Sequence, residues 1–154
     1  MKPMLLAVYL TALARCERSL GDGLSAVAKQ HADEPEIAGT APLLAQWSYA
    51  NAARVRDALA RFGKNPPRDP KLLASALFGG PRKGPAGLLN DLLELAMLAG
   101  EAQILWALAG QGARALRDDA LLELCETLPG QTDRQKIWLE TMLKSLAPQL
   151  LIAP

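Results

Sequence analysis

The strongest constraint in this sequence is a stretch, residues 87–110, that is apolar on almost every side. A helix without a clean polar face belongs inside a protein. The stretch nevertheless carries Glu101 near its centre, on one helical stripe at alternating spacings of four and three residues. The other members of that stripe are Glu94, Leu98, Leu105 and Leu108. Because an ionised carboxylate without a partner is costly to bury, the rest of the chain has to supply suitable surroundings for Glu101.

The composition favours a single compact domain over residues 1–154. Half of the residues are hydrophobic, 21% are charged, and the formal net charge is +1. This balance excludes a disordered chain and offers no electrostatic reason for nucleic-acid binding. A chain of this length can bury a substantial core.

Three features favour a soluble, cytoplasmic protein. The apolar N-terminus is interrupted by Tyr9, Arg15 and Glu17, so it reads as a helix of the fold rather than a leader. The longest apolar run contains Glu101 and is shorter than the ~20 residues of a membrane span. Two cysteines without CxxC spacing are typical of reduced core thiols in a cytosol. Taken together, these features predict that the protein does not associate with a membrane.

Apolar periodicity predicts four long helices, at about residues 4–30, 35–62, 86–116 and 119–146. Asp33 is expected to cap the second helix, and Asp118 or Asp119 the fourth, which Pro129 and Gly130 should interrupt. Short turns within each pair and a long crossover, residues 63–87, predict an all-α four-helix bundle of ferritin-like topology. The apolar tail, residues 147–154, is expected to lie across the bundle as a strap.

Each predicted helix has a polar residue near the middle of its apolar stripe. These four residues are Glu17, Asn51, Glu101 and Gln135. Antiparallel helices of similar length bring their midpoints to one level. We therefore expect the four side chains to form one buried polar layer.

The chain resembles the ferritin-like superfamily over its full length, and in particular small bacterial ferritin-like domains of no settled activity. The resemblance is carried by Glu34-Pro35-Glu36 and by residues 43–48 (LLAQWS), 88–92 (LLNDL) and 135–139 (QKIWL). It implies a di-iron layer with a Glu from each of two helices and Glu-x-x-His from each of the other two.

Most of the ligands that this resemblance implies are absent. Glu17 and Glu101 match two ligand carboxylates, but the second helix has Ser48 and Asn51 at the expected positions. The fourth has Thr132 and Gln135, and the only histidine, His31, falls in a turn. Two carboxylates and neutral amides compensate two metal ions poorly. The resemblance therefore implies a di-metal site that has lost its ligands.

We accordingly predict a non-catalytic binding or scaffold domain with no catalytic residue and no cofactor. Asn51 and Gln135, or a proton shared between Glu17 and Glu101, would stabilise the buried carboxylates. In that case at least one of the two should have a raised pKa. Three alternatives remain: a single hard cation such as Mg²⁺ or Ca²⁺; an iron- or manganese-dependent oxidase using Glu17, Glu94 and Glu101; and a small-ligand pocket. Small residues would leave room for that pocket, namely Gly100, Ala102, Ala107 and Gly110.

We predict that the protein associates with a second copy of itself. The third helix has apolar residues on more faces than one core should need, which favours a homodimer unless residues 150–152 cover the excess. The residues in question are Leu92, Leu95, Leu98, Ala99, Leu105, Trp106 and Ala109. An unidentified protein partner is a further expectation. The basic residues of the crossover favour a solvated loop over an anion contact; they are Lys64, Arg68, Lys71, Arg82 and Lys83.

Overall fold

A computed structural model of the protein describes residues 4–63 and 79–152, and every regular element in these ranges is a helix. The helices are α1 (Met4–Gln30), α2 (Pro35–Leu59), a 3-10 turn (Ala60–Phe62), α3 (Gly84–Leu116), α4 (Asp119–Thr127) and α5 (Pro129–Ile152). The all-α prediction is confirmed. Four of the helices are long, and α4 is a short additional one.

Contacts along α1 show how the helices run. His31 at the end of α1 bonds Asp91 near the start of α3, whereas Leu6 lies beside Gly112 near the end of α3. The two helices are therefore antiparallel. Their contact buries one side of the apolar stretch at residues 87–110.

Helix α2 is also antiparallel to α1, because Tyr49 bonds Asp22 while Asn51, further along α2, bonds the earlier residue Glu17. It follows that α2 and α3 run in the same direction. The last residue of α2 and the first residue of α3 therefore lie toward opposite ends of the bundle.

The face of α3 turned toward the protein takes up more apolar residues than expected. The seven residues predicted to exceed one core are all buried within the protomer: Leu92, Leu95, Leu98, Ala99, Leu105, Trp106 and Ala109. The prediction that they form an uncovered surface is therefore wrong. The physical reason is that α1, α4 and α5 all pack on α3, so its buried arc is wide.

The C-terminal region differs from the sequence-based expectation. The predicted break is confirmed, because α4 ends at Thr127 and Pro129 begins α5. Helix α5 then continues to Ile152 with Pro148 inside it, so residues 147–152 are not a separate strap. Leu151 and Ile152 are 68% and 81% exposed. They do not cover α3.

The predicted capping residue is confirmed at α4 and is wrong at α2. Asp118 accepts a hydrogen bond from the Leu121 amide at 3.1 Å and so caps α4. Burial opposes its charge, but this bond and the Arg61 guanidinium together lower the pKa of Asp118. At α2 the capping position is Glu34, not Asp33, and no side chain caps it. Helix α2 continues through Pro42 without restarting.

By length and composition, α3 is the one helix in the described ranges that could cross a membrane. A core helix of a soluble protein meets the same criterion, and nearly half of the most apolar window of α3 is buried in the bundle.

Helix α3 begins two residues earlier than expected, at Gly84. Residues 64–78 of the crossover, including the basic residues Lys64, Arg68 and Lys71, lie outside the described residues.

Candidate functional site: a buried polar layer

The Glu17 carboxylate is the centre of a polar layer inside the bundle. Glu17 is fully buried on α1. Its Oε1 atom accepts hydrogen bonds from Thr132 Oγ1 at 2.8 Å and from Trp106 Nε1 at 3.2 Å. Its Oε2 atom accepts a longer bond from Asn51 Nδ2 at 3.4 Å. Helices α2, α3 and α5 thus each contribute a neutral donor to one carboxylate of α1.

Gln135 extends the layer toward α2. Its Nε2 atom donates to the Leu44 carbonyl and to the Ser48 hydroxyl, both at 2.7 Å. Ser48 in turn lies near Glu17 and helps to lower the pKa of that carboxyl group. The side-chain carbonyl oxygen of Gln135 is buried and receives no hydrogen bond within the described residues. The predicted residues Asn51 and Gln135 therefore do reach the layer, Asn51 directly and Gln135 through Ser48.

Burial is the main influence on the pKa of Glu17. Desolvation raises the pKa of Glu17 above its ordinary value, and hydrogen bonds from Thr132, Trp106, Asn51 and Ser48 only partly offset this. The prediction that a midpoint glutamate has a raised pKa is confirmed for Glu17. The cause is burial among neutral donors.

On α3, Trp106 rather than Glu101 supplies the hydrogen bond to Glu17. Glu101 lies five residues earlier, about 140° around the helix, and it is only partly buried. Sequence reasoning missed Trp106 because it was assigned to the apolar excess. A signal was present, since a buried indole N–H usually requires an acceptor.

A second polar cluster surrounds Asp91, which is fully buried on α3. Asp91 Oδ2 lies 3.0 Å from His31 Nε2 and accepts a bond from the Arg82 backbone amide at 2.9 Å. Asp91 Oδ1 accepts a bond from the Arg82 guanidinium at 3.1 Å. We call these three residues the Asp91 clasp. It joins the end of α1, the segment before α3, and α3 itself.

The clasp also determines the position of Glu94. The Arg82 guanidinium donates to both carboxylate oxygens of Glu94, at 2.7 and 3.1 Å. Glu94 therefore belongs to an ion pair at the edge of the bundle and makes no hydrogen bond to Glu17. Sequence reasoning placed His31 in a turn and left it out, whereas the folded chain buries its ring against Asp91.

The layer does not fit the di-metal site that the resemblance implies. Within residues 4–63 and 79–152, no three His, Cys, Asp or Glu side chains are grouped so that they could hold a metal ion. The donors around Glu17 point the same way, because an indole N–H can donate but cannot ligate a cation. The arrangement suits a hydrogen-bonded carboxylate, and no redox step follows from it.

A shallow groove of about 340 Å³ lies between α3 and the α4–α5 region. Ala107 and Gly110 line it, in line with the predicted pocket between small residues, whereas Ala102 is fully buried elsewhere. Cys125 also lines the groove, and burial raises the pKa of this thiol to about 11. A thiol with such a pKa is protonated at neutral pH and is a weak nucleophile.

Comparisons with models of protein families, with curated proteins and with solved structures find no match for this chain. The geometry of its own residues therefore carries the functional argument.

Proposed function

We propose that this protein is a non-catalytic, ferritin-like binding or scaffold domain. In this proposal a metal-free hydrogen-bonded layer occupies the level at which di-iron bundles hold their metals. The observation that carries it is the Glu17 carboxylate, whose Oε1 atom is engaged by Trp106 and Thr132. Because both donors are neutral and one cannot bind metal, the layer holds the helices together instead of binding a cofactor.

The helix directions support the ferritin-like part of the proposal. The contacts of α1 make α2 and α3 parallel, so the end of α2 and the start of α3 lie toward opposite ends of the bundle. That topology distinguishes ferritin-like bundles from simple up-down-up-down bundles. The oxidase alternative is not favoured, because Glu94, one of its three proposed ligands, is committed to Arg82.

We further propose a cytoplasmic homodimer that acts through protein contacts, with no nucleic acid or membrane as partner. A net charge of +1 gives no basis for binding a polyanion. Cys16 and Cys125 form no disulfide, as expected in a reducing compartment. A second, unidentified protein partner would complete a scaffold role.

The metal content of the purified protein tests the central proposal. Protein from cells supplied with iron and manganese is compared with a Glu17→Gln variant by elemental analysis. We expect both to contain far less than one ion per chain. Stoichiometric metal in the wild type that is lost in Glu17→Gln would show that Glu17 is a ligand, and the metal-free layer would then be wrong.

A further inference from the structure

The outward face of α3 carries a stripe of seven uncharged residues. Its members are Asn90, Leu93, Met97, Gly100, Ile104, Leu108 and Gln111. At 3.6 residues per turn they fall within about 80° of one another and extend over about 32 Å. The four large apolar residues are 42–64% exposed. We call this surface the α3 stripe.

The α3 stripe is symmetric about its own midpoint, between Gly100 and Glu101. Met97 and Ile104 lie equally far from that point on either side, as do Leu93 and Leu108. The amides Asn90 and Gln111 mark its two ends at equal distances. Nothing in helix formation requires such symmetry. In an isologous contact a two-fold axis places each residue against its mirror position, so this stripe would pair the large apolar residues with one another and the two amides with each other, with Glu101 opposite Gly100.

We propose that two copies of this chain pack antiparallel through the α3 stripe, with the two-fold axis beside Gly100. Met97 then meets Ile104 of the second copy, Leu93 meets Leu108, and Asn90 can bond Gln111. This assignment rests on the self-association proposed above and adds its surface and register. It involves the outward stripe rather than the buried apolar residues from which a dimer was first expected.

Size and charge at the crossing point support this register. Gly100 has no side chain, so the helix axes can approach closely where the two copies cross. The stripe itself carries no charge that would have to be desolvated, and the neighbouring Lys136, whose side chain lies 3.6 Å from a Cβ atom placed at Gly100, is paired with Glu140 at 3.1 Å. Glu101 adjoins the axis, but its Oε1 atom is buried within its own protomer. The amides at the ends can exchange hydrogen bonds across the contact.

The area of the stripe indicates how stable this dimer is. A face of about 32 Å by about 10 Å covers about 300 Å² per copy, below the ~800 Å² per partner of a standard interface. We therefore expect a concentration-dependent dimer, with dissociation visible between about 1 and 100 µM by sedimentation equilibrium. The mass should rise from 16.5 kDa toward twice that value.

Two isoleucines provide a matched pair of variants for this measurement. Ile104 on the stripe and Ile137 on α5 are 64% and 63% exposed, so neither substitution should disturb folding. We expect Ile104→Glu to weaken dimerisation at least ~10-fold, because it places a charge in an apolar contact. Ile137→Glu should leave it unchanged. Equal weakening by both, or a wild-type mass of 16.5 kDa throughout, would overturn the proposal.

Cysteine cross-linking tests the register, in a Cys125→Ser background. Two copies of Gly100→Cys lie next to the axis, and among the described residues the added Cβ atom meets the Lys136 side chain at 3.6 Å. Two copies of Leu108→Cys would be separated by about 22 Å along the helices, too far for a disulfide. We expect rapid cross-linking of the first variant alone. Equal or preferential cross-linking of Leu108→Cys would overturn the register.

An apolar helix face could instead bind a lipid surface. Co-sedimentation with phosphatidylcholine vesicles, at concentrations where the protein is monomeric, tests this alternative. We expect no binding, and vesicle binding lost in Ile104→Glu would overturn the dimer in favour of a membrane contact. These outcomes are separable from the metal-free layer, because elemental analysis of the monomer tests that layer independently.

Discussion

At the scale of single residues, burial among neutral donors raises the pKa of Glu17. Replacing it by glutamine keeps an Oε1 acceptor for both Trp106 and Thr132, and the new NH₂ group faces Asn51, whose amide can reorient. The substitution also removes a carboxyl group that burial disfavours in its charged form. We expect Glu17→Gln to be neutral or stabilising at neutral pH, by about 1 kcal/mol.

The pH dependence of stability is the sharper test of Glu17. Burial raises its folded-state pKa above the unfolded value, so the folded chain keeps the proton to higher pH. Its stabilising contribution is complete below the unfolded pKa of about 4.3 and is lost as pH rises through the folded pKa. In urea unfolding at a series of pH values, Glu17→Gln should lack this decline. The exposed control Glu123→Gln should retain it, and an unchanged profile in Glu17→Gln would contradict the assignment.

At the scale of helices, the contact between α1 and α2 depends on a glycine. A Cβ atom at Gly21 would lie 2.9 Å from the Tyr49 ring, whose hydroxyl is bound to Asp22 at 2.6 Å. The ring cannot move freely, so we expect Gly21→Ala to lower the free energy of unfolding by about 1–2 kcal/mol. Thermal or urea unfolding measures it.

The matched control is Gly39→Ala in α2, where a Cβ atom would meet nothing within 4 Å. There the better helix propensity of alanine should stabilise the protein by about 0.5–1 kcal/mol. A gain at both glycines would mean that Tyr49 does not pack against Gly21 as described.

Helix α5 offers a pair of leucines for comparison, one buried near its middle and one exposed near its end. Leu139 is fully buried and Leu151 is 68% exposed. We expect Leu139→Ala to cost about 2–5 kcal/mol and Leu151→Ala less than about 0.5 kcal/mol in chemical unfolding. A comparable loss at Leu151 would indicate that the C-terminal residues pack on the bundle as a strap after all.

At the scale of the whole molecule, the Asp91 clasp determines how the crossover meets the bundle. Asparagine at this buried position would turn a donor toward either the Arg82 groups or His31, and it would leave the clasp without its negative charge. We expect Asp91→Asn to destabilise the protein by about 3 kcal/mol, as measured by urea unfolding.

Glu94→Gln is the control for the clasp, because it removes a carboxylate that binds the same Arg82 from a more exposed position. An ion pair of this kind contributes at most about 1 kcal/mol. Equal losses from the two substitutions would show that Arg82 contributes only a surface ion pair and that burial of Asp91 is unimportant.

Local pattern was sufficient to predict much of the architecture. Helical periodicity and the positions of proline and glycine predict the all-α class, the long helices, the break before Pro129 and the cap at Asp118. They also place Glu17 and Asn51 on inward-facing stripes, because the residues that share a helix face depend only on spacing. These features depend on interactions within about one helical turn, which the sequence specifies by itself.

The tertiary structure alone decided which faces meet. The bond from Thr132 to Glu17 spans 115 residues and that between His31 and Asp91 spans 60. Periodicity identifies the faces of α3, but it cannot tell whether Trp106 or Glu101 turns toward Glu17. Nor can it show that the outward face is the one centred near Gly100. Those outcomes depend on how several helices share one core, which is a property of packing and not of any single helix.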